Sequence, residues 1–396
     1  MGFEHQLGRR YDLDWLRIIA FGLLIFYHIG MLYVTWDFHV KSPHAGEWPE
    51  PFMRLLNPWR LLLLFFISGI AARFMLDKTS KQAFAKERLW RLFIPLFIGI
   101  QFVVAPQTYF ELLQTEEISP GFWAFFANYS DPNHVYSVTT PTWIHLWYVV
   151  YLLVYSFILV GISSWIKALI NSPVGRFISQ FPAWILVLVL PVLPLLLVRF
   201  TLASDWPTTH NLVEDWAKHG ASFSMFLIGY IVAKSPNFWR AIDQMRFWSV
   251  GLAIGLIIPL SLLWLQWDVF ASWATQNPER ESLLLLARIG RVLYAWLVIA
   301  ALLGFAQRWL NKPNRTLSYL TSVIFPYYIL HQTLLISIAY PLGKMDLPLV
   351  IEGTAVVGGT IAGCVLITHF IIRPVPLFRV FFGMKAKPDK TGEVMK

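Results

Sequence analysis

The sequence predicts an all-α polytopic membrane protein with about ten transmembrane helices and both termini in the cytoplasm. Composition points there first: 57% of the 396 residues are hydrophobic and 14% are charged. Soluble domains run roughly 45–50% apolar and about 25% charged. Apolar runs of about 20 residues, enough to cross a bilayer core, recur along the whole chain. The basic residues sit in short clusters between those runs, as membrane proteins place them. The deficit of charge excludes a soluble globular enzyme, a disordered tail and a nucleic-acid-binding domain as the main body. The net charge of +9 therefore does not imply nucleic acid.

Ten runs qualify: Leu13–Val34, Leu55–Leu76, Leu89–Tyr109, Thr142–Ile166, Pro182–Thr201, Gly220–Val232, Phe247–Trp267, Ser282–Ala306, Leu317–Tyr340 and Leu347–Ile372. The sixth is short and has room to begin earlier, near Leu212. The first is too long for the apolar core of a signal peptide and no small-x-small cleavage site follows it, so it reads as a retained helix. Twenty-one Lys and Arg residues fall in the loops on the side of the N-terminus. Five (Lys41, Arg54, Lys218, Arg280 and Lys344) fall in the opposite loops. The positive-inside rule then places both termini in the cytoplasm. Pro95, Pro106, Pro191, Pro194, Pro259 and Pro326 lie inside apolar runs and predict kinked or broken helices. Gly251/Gly255 and Gly359/Gly363 have helix-packing spacing. The single cysteine, Cys364, lies in an apolar run and permits no intramolecular disulfide.

Ionisable groups at membrane depth cost several kcal/mol unless paired or facing water, so each is a functional candidate. In the first run these are Asp14, Arg17 and His28. Arg17 and His28 are eleven residues apart, nearly a whole number of turns. They share one face, roughly 16 Å apart along the axis. Asp14 is placed to pair with Arg17. Arg73, Arg88 and Arg91 gather at the same side as Arg17 and suit an anion such as phosphate, although positive-inside bias and anionic lipid explain them too. Arg60, His145, Arg199, Arg288 and Arg291 face the opposite side. His145 and Trp147 together suit a sugar, whose apolar face stacks on indole while its hydroxyls need polar partners; an interfacial aromatic belt explains them equally. His331, in Tyr327-Tyr328-Ile329-Leu330-His331, is placed to face a cavity or to bond another helix. His369 reads as structural. The opposite loops also carry His39, His44, Glu47, Glu50, Glu116, Glu117, Asp131 and His134. His39 and His44 lack a third ligand at metal spacing, so no metal site is expected. No Walker loop, Rossmann glycine fingerprint or G-x-S-x-G elbow occurs. A basic mouth leading to a buried histidine suits either an enzyme acting across the bilayer or an exporter of an anionic metabolite or glycan. The internal symmetry common in transporters is not evident.

At this point the residues resemble a family. Asp12-Leu13-Asp14-Trp15-Leu16-Arg17 followed by His28 is similar to the first-helix arginine-to-histidine motif of the membrane acyltransferase-3 family. Phe65-Phe66-Ile67-Ser68-Gly69, Arg88-Leu89-Trp90-Arg91 before Pro95, His145-Leu146-Trp147-Tyr148 and Tyr327–His331 resemble its later motifs, in order. The resemblance implies a single acyltransferase-3-like transmembrane domain over residues 1–372, with 373–396 as a basic cytoplasmic tail. It implies an O-acyltransferase of the bacterial inner membrane. Such an enzyme moves an acetyl or succinyl group from cytoplasmic acyl-CoA, a co-substrate rather than a bound cofactor, to a periplasmic or surface carbohydrate. On that reading His28 and Arg17 are catalytic. Arg73, Arg88 and Arg91 hold the donor's phosphates, and His145, Trp147, Tyr328 and His331 are placed for substrate. Direct attack by a sugar hydroxyl and an acyl-histidine intermediate are both open.

Overall fold

The computed structural model describes residues 9–265, 269, 272–273, 276–277 and 281–385. Arg280, the end of the seventh run and the tail residues from 386 onward, Lys387, Lys390 and Lys396 among them, lie outside the described residues. Secondary structure among the described residues is helical throughout, with no strand. Among the described residues, eight helical segments are long and apolar enough to cross a membrane. We label the helices α1 (Tyr11–Met31), α2 (Glu50–Leu56), α3 (Arg60–Leu76), α4 (Lys81–Gln114), α5 (Phe122–Asn128), α6 (Ile144–Asn171) and α7 (Pro173–Ser179). They continue as α8 (Ile185–Thr201), α9 (Trp216–Val232), α10 (Pro236–Leu265), α11 (Glu281–Trp309), α12 (Arg315–Leu342), α13 (Leu349–Ile372) and α14 (Pro376–Phe381). The fifth and sixth runs are carried by the shorter helices α8 and α9.

The chain forms two compact units. The first comprises Met1–Leu23, Pro51–Phe84 and Val154–Leu317, and the second Leu24–Glu50, Ala85–Leu153 and Ser318–Lys396.

In the first unit α3 and α9 touch backbone to backbone. A Cβ on Gly69 would stand 1.9 Å from the Phe226 carbonyl oxygen, and one on Gly229 would stand 2.1 Å from that of Phe66. The Phe-Phe-x-Ser-Gly segment is thus where two helices cross with no side chain between them. Contacts along the two helices advance in step: Gly69 meets Phe226, Arg73 lies over the Tyr230 ring, and Asp77 meets Lys234. α3 and α9 therefore run parallel. α6 keeps the same sense, with Tyr155 on Phe65 and Lys167 on Asp77. α10 and α11 form the antiparallel counterpart, with Gly304 against Arg246 and Gly290 against Leu260. Gly251 and Gly255 do not act as a packing stripe. They lie exposed and a Cβ on either would meet nothing within 4 Å among the described residues, because α10 turns that face away from α11. Gly359 and Gly363 do pack, against Ile338 and Leu334 in the second unit.

Four prolines follow π-helical turns, and at Pro191 the helix is interrupted at residues 190–191, as expected. Leu89–Phe93, Gly99–Val103, Ile185–Val189 and Ile367–Ile372 are π segments, and each precedes a proline: Pro95, Pro106, Pro191 and Pro374. A proline ring clashes with the carbonyl four residues back and supplies no N–H. Widening the preceding turn removes the clash but frees carbonyls, which a bilayer cannot satisfy. Side chains take them up. Tyr129 donates to Ile100 (3.1 Å), Thr333 to Val103 and Trp296 Nε1 to Val187 (2.5 Å). α10 and α12 run through Pro259 and Pro326 without a break. Pro194 sits in the first turn of the segment Val192–Thr201, where its missing N–H costs nothing.

Candidate active site

The second unit gathers three histidines. α1 carries His28 in its last turn, α6 opens with His145, and α12 holds His331 five residues beyond Pro326. His28 Nδ1 lies 2.8 Å from His331 Nε2, with the rings coplanar to 6°. His331 Nδ1 lies 2.6 Å from the Tyr328 carbonyl oxygen. A carbonyl only accepts, so His331 Nδ1 carries the proton. In the neutral ring His331 Nε2 is then an acceptor, and His28 Nδ1 donates to it. The tautomer of His28 follows: its Nε2 bears the lone pair.

His145 is held by the same logic. Its Nε2–H donates to Ile329 O (3.1 Å), its Nδ1 accepts from Gln107 Nε2 (3.3 Å), and its carbonyl accepts from the Tyr328 hydroxyl (2.6 Å). Gln107 Nε2 also donates to Thr333 Oγ1 at 2.7 Å. His145 and His331 are both buried and their rings stand at 88°, 5.2 Å apart. Phe38 stacks on the His28 ring at 6.4 Å, and beside it His39 Nδ1 pairs with Glu111 at 2.6 Å. Lys41 anchors the end of α1 by donating to the carbonyls of Met31, Val34 and Trp36. Its positive charge sits where the helix dipole is negative. Further along, Tyr33 donates to the buried Glu352 (3.1 Å). Burial first, and the Glu352 charge second, push the Tyr33 hydroxyl well above its ordinary pKa.

The expected site residues thus divide between the units. His28, Arg88, Arg91, His145, Trp147, Tyr328 and His331 belong to the second unit, Arg17 and Arg73 to the first. His28, His331, Tyr328 and His145 form one connected network. Trp147 is buried edge-on to Tyr151 at 5.0 Å. Arg91 is exposed and bonds Glu87 at 3.2 Å. Arg17 pairs with Asp14 at 3.0 Å, as its spacing predicts, and its buried Nε has no partner among the described residues. Arg73 bonds Asp77 at 3.0 Å, where Lys167 and Lys234 also converge, each at 2.6 Å. Burial alone would raise the Asp77 pKa. Hydrogen bonds from Lys167, Lys234 and Arg73 outweigh it and hold the carboxyl far below its ordinary range.

Gln107, Thr333, Lys167 and Lys234 are absent from the sequence-based candidates. Gln107 carried a readable signal, a polar side chain one residue past a proline inside an apolar run. Lys167 and Lys234 carried none, since only the parallel register of α3, α6 and α9 brings them to one carboxylate.

Helices long and apolar enough to cross a membrane, with no strand among the described residues, define a multi-pass membrane protein, and its second unit holds two hydrogen-bonded imidazoles. The acyltransferase-3 family model, described as an acyltransferase domain, matches residues 10–369, and the chain belongs to that family. Among its relatives are the glucans biosynthesis protein C of Salmonella paratyphi B and that of Salmonella heidelberg, each 28% identical over 162 residues. The match covers 40% of this chain and 40% of each relative, so the chain spans about two fifths of the length of the curated relatives it matches. No solved structure matches the chain.

Proposed function

We propose that this protein is an integral O-acyltransferase of the bacterial inner membrane with both termini in the cytoplasm. It transfers an acetyl or succinyl group from cytoplasmic acyl-CoA to a hydroxyl of a periplasmic or surface carbohydrate, with glucan suggested by the relatives' names. The observation that carries the reading is the relay from the Tyr328 carbonyl through His331 to His28, which leaves the lone pair on His28 Nε2.

His28 Nε2 acts as the general base. It takes the proton of the acceptor hydroxyl as that oxygen attacks the thioester carbonyl. The tetrahedral intermediate collapses, the C–S bond breaks, and the new ester bond remains on the sugar. The proton on His28 passes to the departing thiolate, which leaves as CoA thiol. The His28–His331 bond disperses the imidazolium charge that forms between these steps. Arg88 and Arg91, in the same unit as His28, hold donor phosphates, which suit guanidinium forks. Trp147, His145 and Tyr328 shape the interior around the reacting groups.

The test is acyl transfer by the purified full chain in proteoliposomes, with radiolabelled acyl-CoA supplied on one side and glucan on the other. The expected result is that His28→Ala abolishes labelled ester while inserting and purifying normally. Arg88→Ala and Arg91→Ala raise the donor KM by about tenfold, the weight of one charge-assisted hydrogen bond. Near-normal turnover in His28→Ala, or glucan flux without ester formation in the parent, would refute the assignment.

A further inference from the structure

The first unit carries a second concentration of charge, at the ends of its helices remote from Asp77. Arg60 opens α3, Arg199 lies in the last turn of α8, Lys218 in the first turn of α9, and Arg288 and Arg291 in the first half of α11. Two contacts bring these ends together. α8 and α9 meet closely at Val198 and Gly220, where a Cβ on Gly220 would stand 2.8 Å from the Val198 side chain. This sets Arg199 and Lys218 at one level. On the other side the Leu55 carbonyl accepts from both Trp59 Nε1 (2.9 Å) and the Tyr294 hydroxyl (3.0 Å). This fixes α11, one turn past Arg291, against the chain that leads into Arg60. The parallel register of α3 and α9, carried back from Gly69 and Phe226, sets Lys218 beside Arg60.

Facing Lys218 is Asp215, which is fully buried and whose oxygens already accept from the backbone N–H groups of Thr209 (3.4 Å) and His210 (3.2 Å). Charge therefore runs strongly positive here. It is also graded by depth: Arg60 is buried, Lys218 and Arg199 are half-buried, and Arg288 and Arg291 are exposed. The Arg199 Nε is buried with no partner among the described residues. Gathering the buried Arg60 with the half-buried Lys218 and Arg199 is costly, and Asp215 supplies a single negative charge against them. Guanidinium and ammonium groups at graded depth are the donors that phosphoryl oxygens take.

We propose that the ends of α3, α8, α9 and α11 form a binding site for a phosphoryl oxyanion, with Arg60 and Lys218 at its floor and Arg199, Arg288 and Arg291 at its rim. Its ligand is the phosphate of a soluble phosphoester or of an anionic lipid headgroup. The site stands apart from acyl transfer, because none of its residues is used by the His28 chemistry.

Binding to the purified full chain tests it. Thermal unfolding in detergent is followed against inorganic phosphate, with sodium chloride at matched ionic strength as the reference. Retention of phosphatidylglycerol is followed by native mass spectrometry. Phosphate should raise the unfolding temperature beyond the chloride reference, and Arg199→Gln and Arg291→Gln should each weaken that effect about tenfold. Arg240→Gln, at an exposed position elsewhere on the unit, should leave it unchanged. If phosphate is silent but phosphatidylglycerol is retained and lost in the same two variants, the site stands with a lipid as its source. Should neither probe exceed its reference, or should Arg291→Gln keep full binding, the proposal fails. Arg291 is exposed, so its variant folds even where Arg199→Gln does not.

Discussion

One nitrogen decides the chemistry proposed for this protein, and its protonation is set by a residue that never touches substrate. His331 spends its Nδ1 proton on the Tyr328 carbonyl and so presents a lone pair to His28. This makes it a positioning residue for His28. Replacing His331 with Gln leaves an amide that has no fixed tautomer to impose. His331→Gln should lower kcat by about 10- to 100-fold, the range seen when a partner that orients a working histidine is removed, with little change in donor KM. It should also shift the acidic limb of the pH–rate profile, because the amide, unlike the imidazole held by the Tyr328 carbonyl, is free to turn its NH2 instead of its oxygen toward the His28 imidazolium. A purely structural loss would lower the amount of folded protein and leave that limb in place. The pH profile of kcat in proteoliposomes separates the two.

At the scale of elements, the parallel trio α3, α6 and α9 is set by contacts that forbid side chains. Gly69 and Gly229 let two backbones meet, and neither has room for a methyl group. Gly69→Ala should force α3 and α9 apart and destabilise the first unit by about 1–3 kcal/mol, the usual cost of overpacking. Its signature is a lowered unfolding temperature, whereas Gly251→Ala, which meets open space, should leave that temperature unchanged. The same scale explains the prolines. At two of the four π turns, Gly99–Val103 and Ile185–Val189, carbonyls accept from Tyr129, Thr333 and Trp296. These donors join α4 to α12 and α8 to α11, so proline positions and interhelical bonds form one device.

For the whole molecule, the parallel sense of α3, α6 and α9 agrees with counting the second, fourth and sixth apolar runs as crossings in one direction. The sixth, α9, is 17 residues long, the same as α3, which reaches spanning length only together with α2. Its ion pair with α3 at Asp77 nevertheless fixes its direction. That node also makes stability depend on acidity. Asp77 keeps its charge far below the ordinary carboxylate range when folded. Its contribution is therefore complete above the unfolded pKa and fades as pH falls below about 4 toward the folded value. Asp77→Asn should lower unfolding stability at neutral pH by up to about 1 kcal/mol, because solvent screens this exposed node, and flatten the loss of stability between about pH 5 and pH 3. Thermal unfolding across that range checks both. Equal acid sensitivity in parent and variant would remove Asp77 from the account.

Helix number and span positions were legible because the cost of burying backbone in hydrocarbon is written residue by residue. Each of the ten apolar runs falls on a helix, and eight helical segments among the described residues are long and apolar enough to cross a membrane, but α4 begins eight residues before the third run and α10 eleven before the seventh. His28, Arg17 and His331 stood out for the same reason, as polar groups where polarity is expensive. Which imidazole faces which, which nitrogen is left basic, and which lysines close on Asp77 were not legible. Those depend on groups 90 to 303 residues apart meeting within 3 Å, and no local preference encodes such a meeting. Solvation energy is additive along a chain and can be read from it; hydrogen-bond geometry is pairwise in space and exists only once the helices have packed.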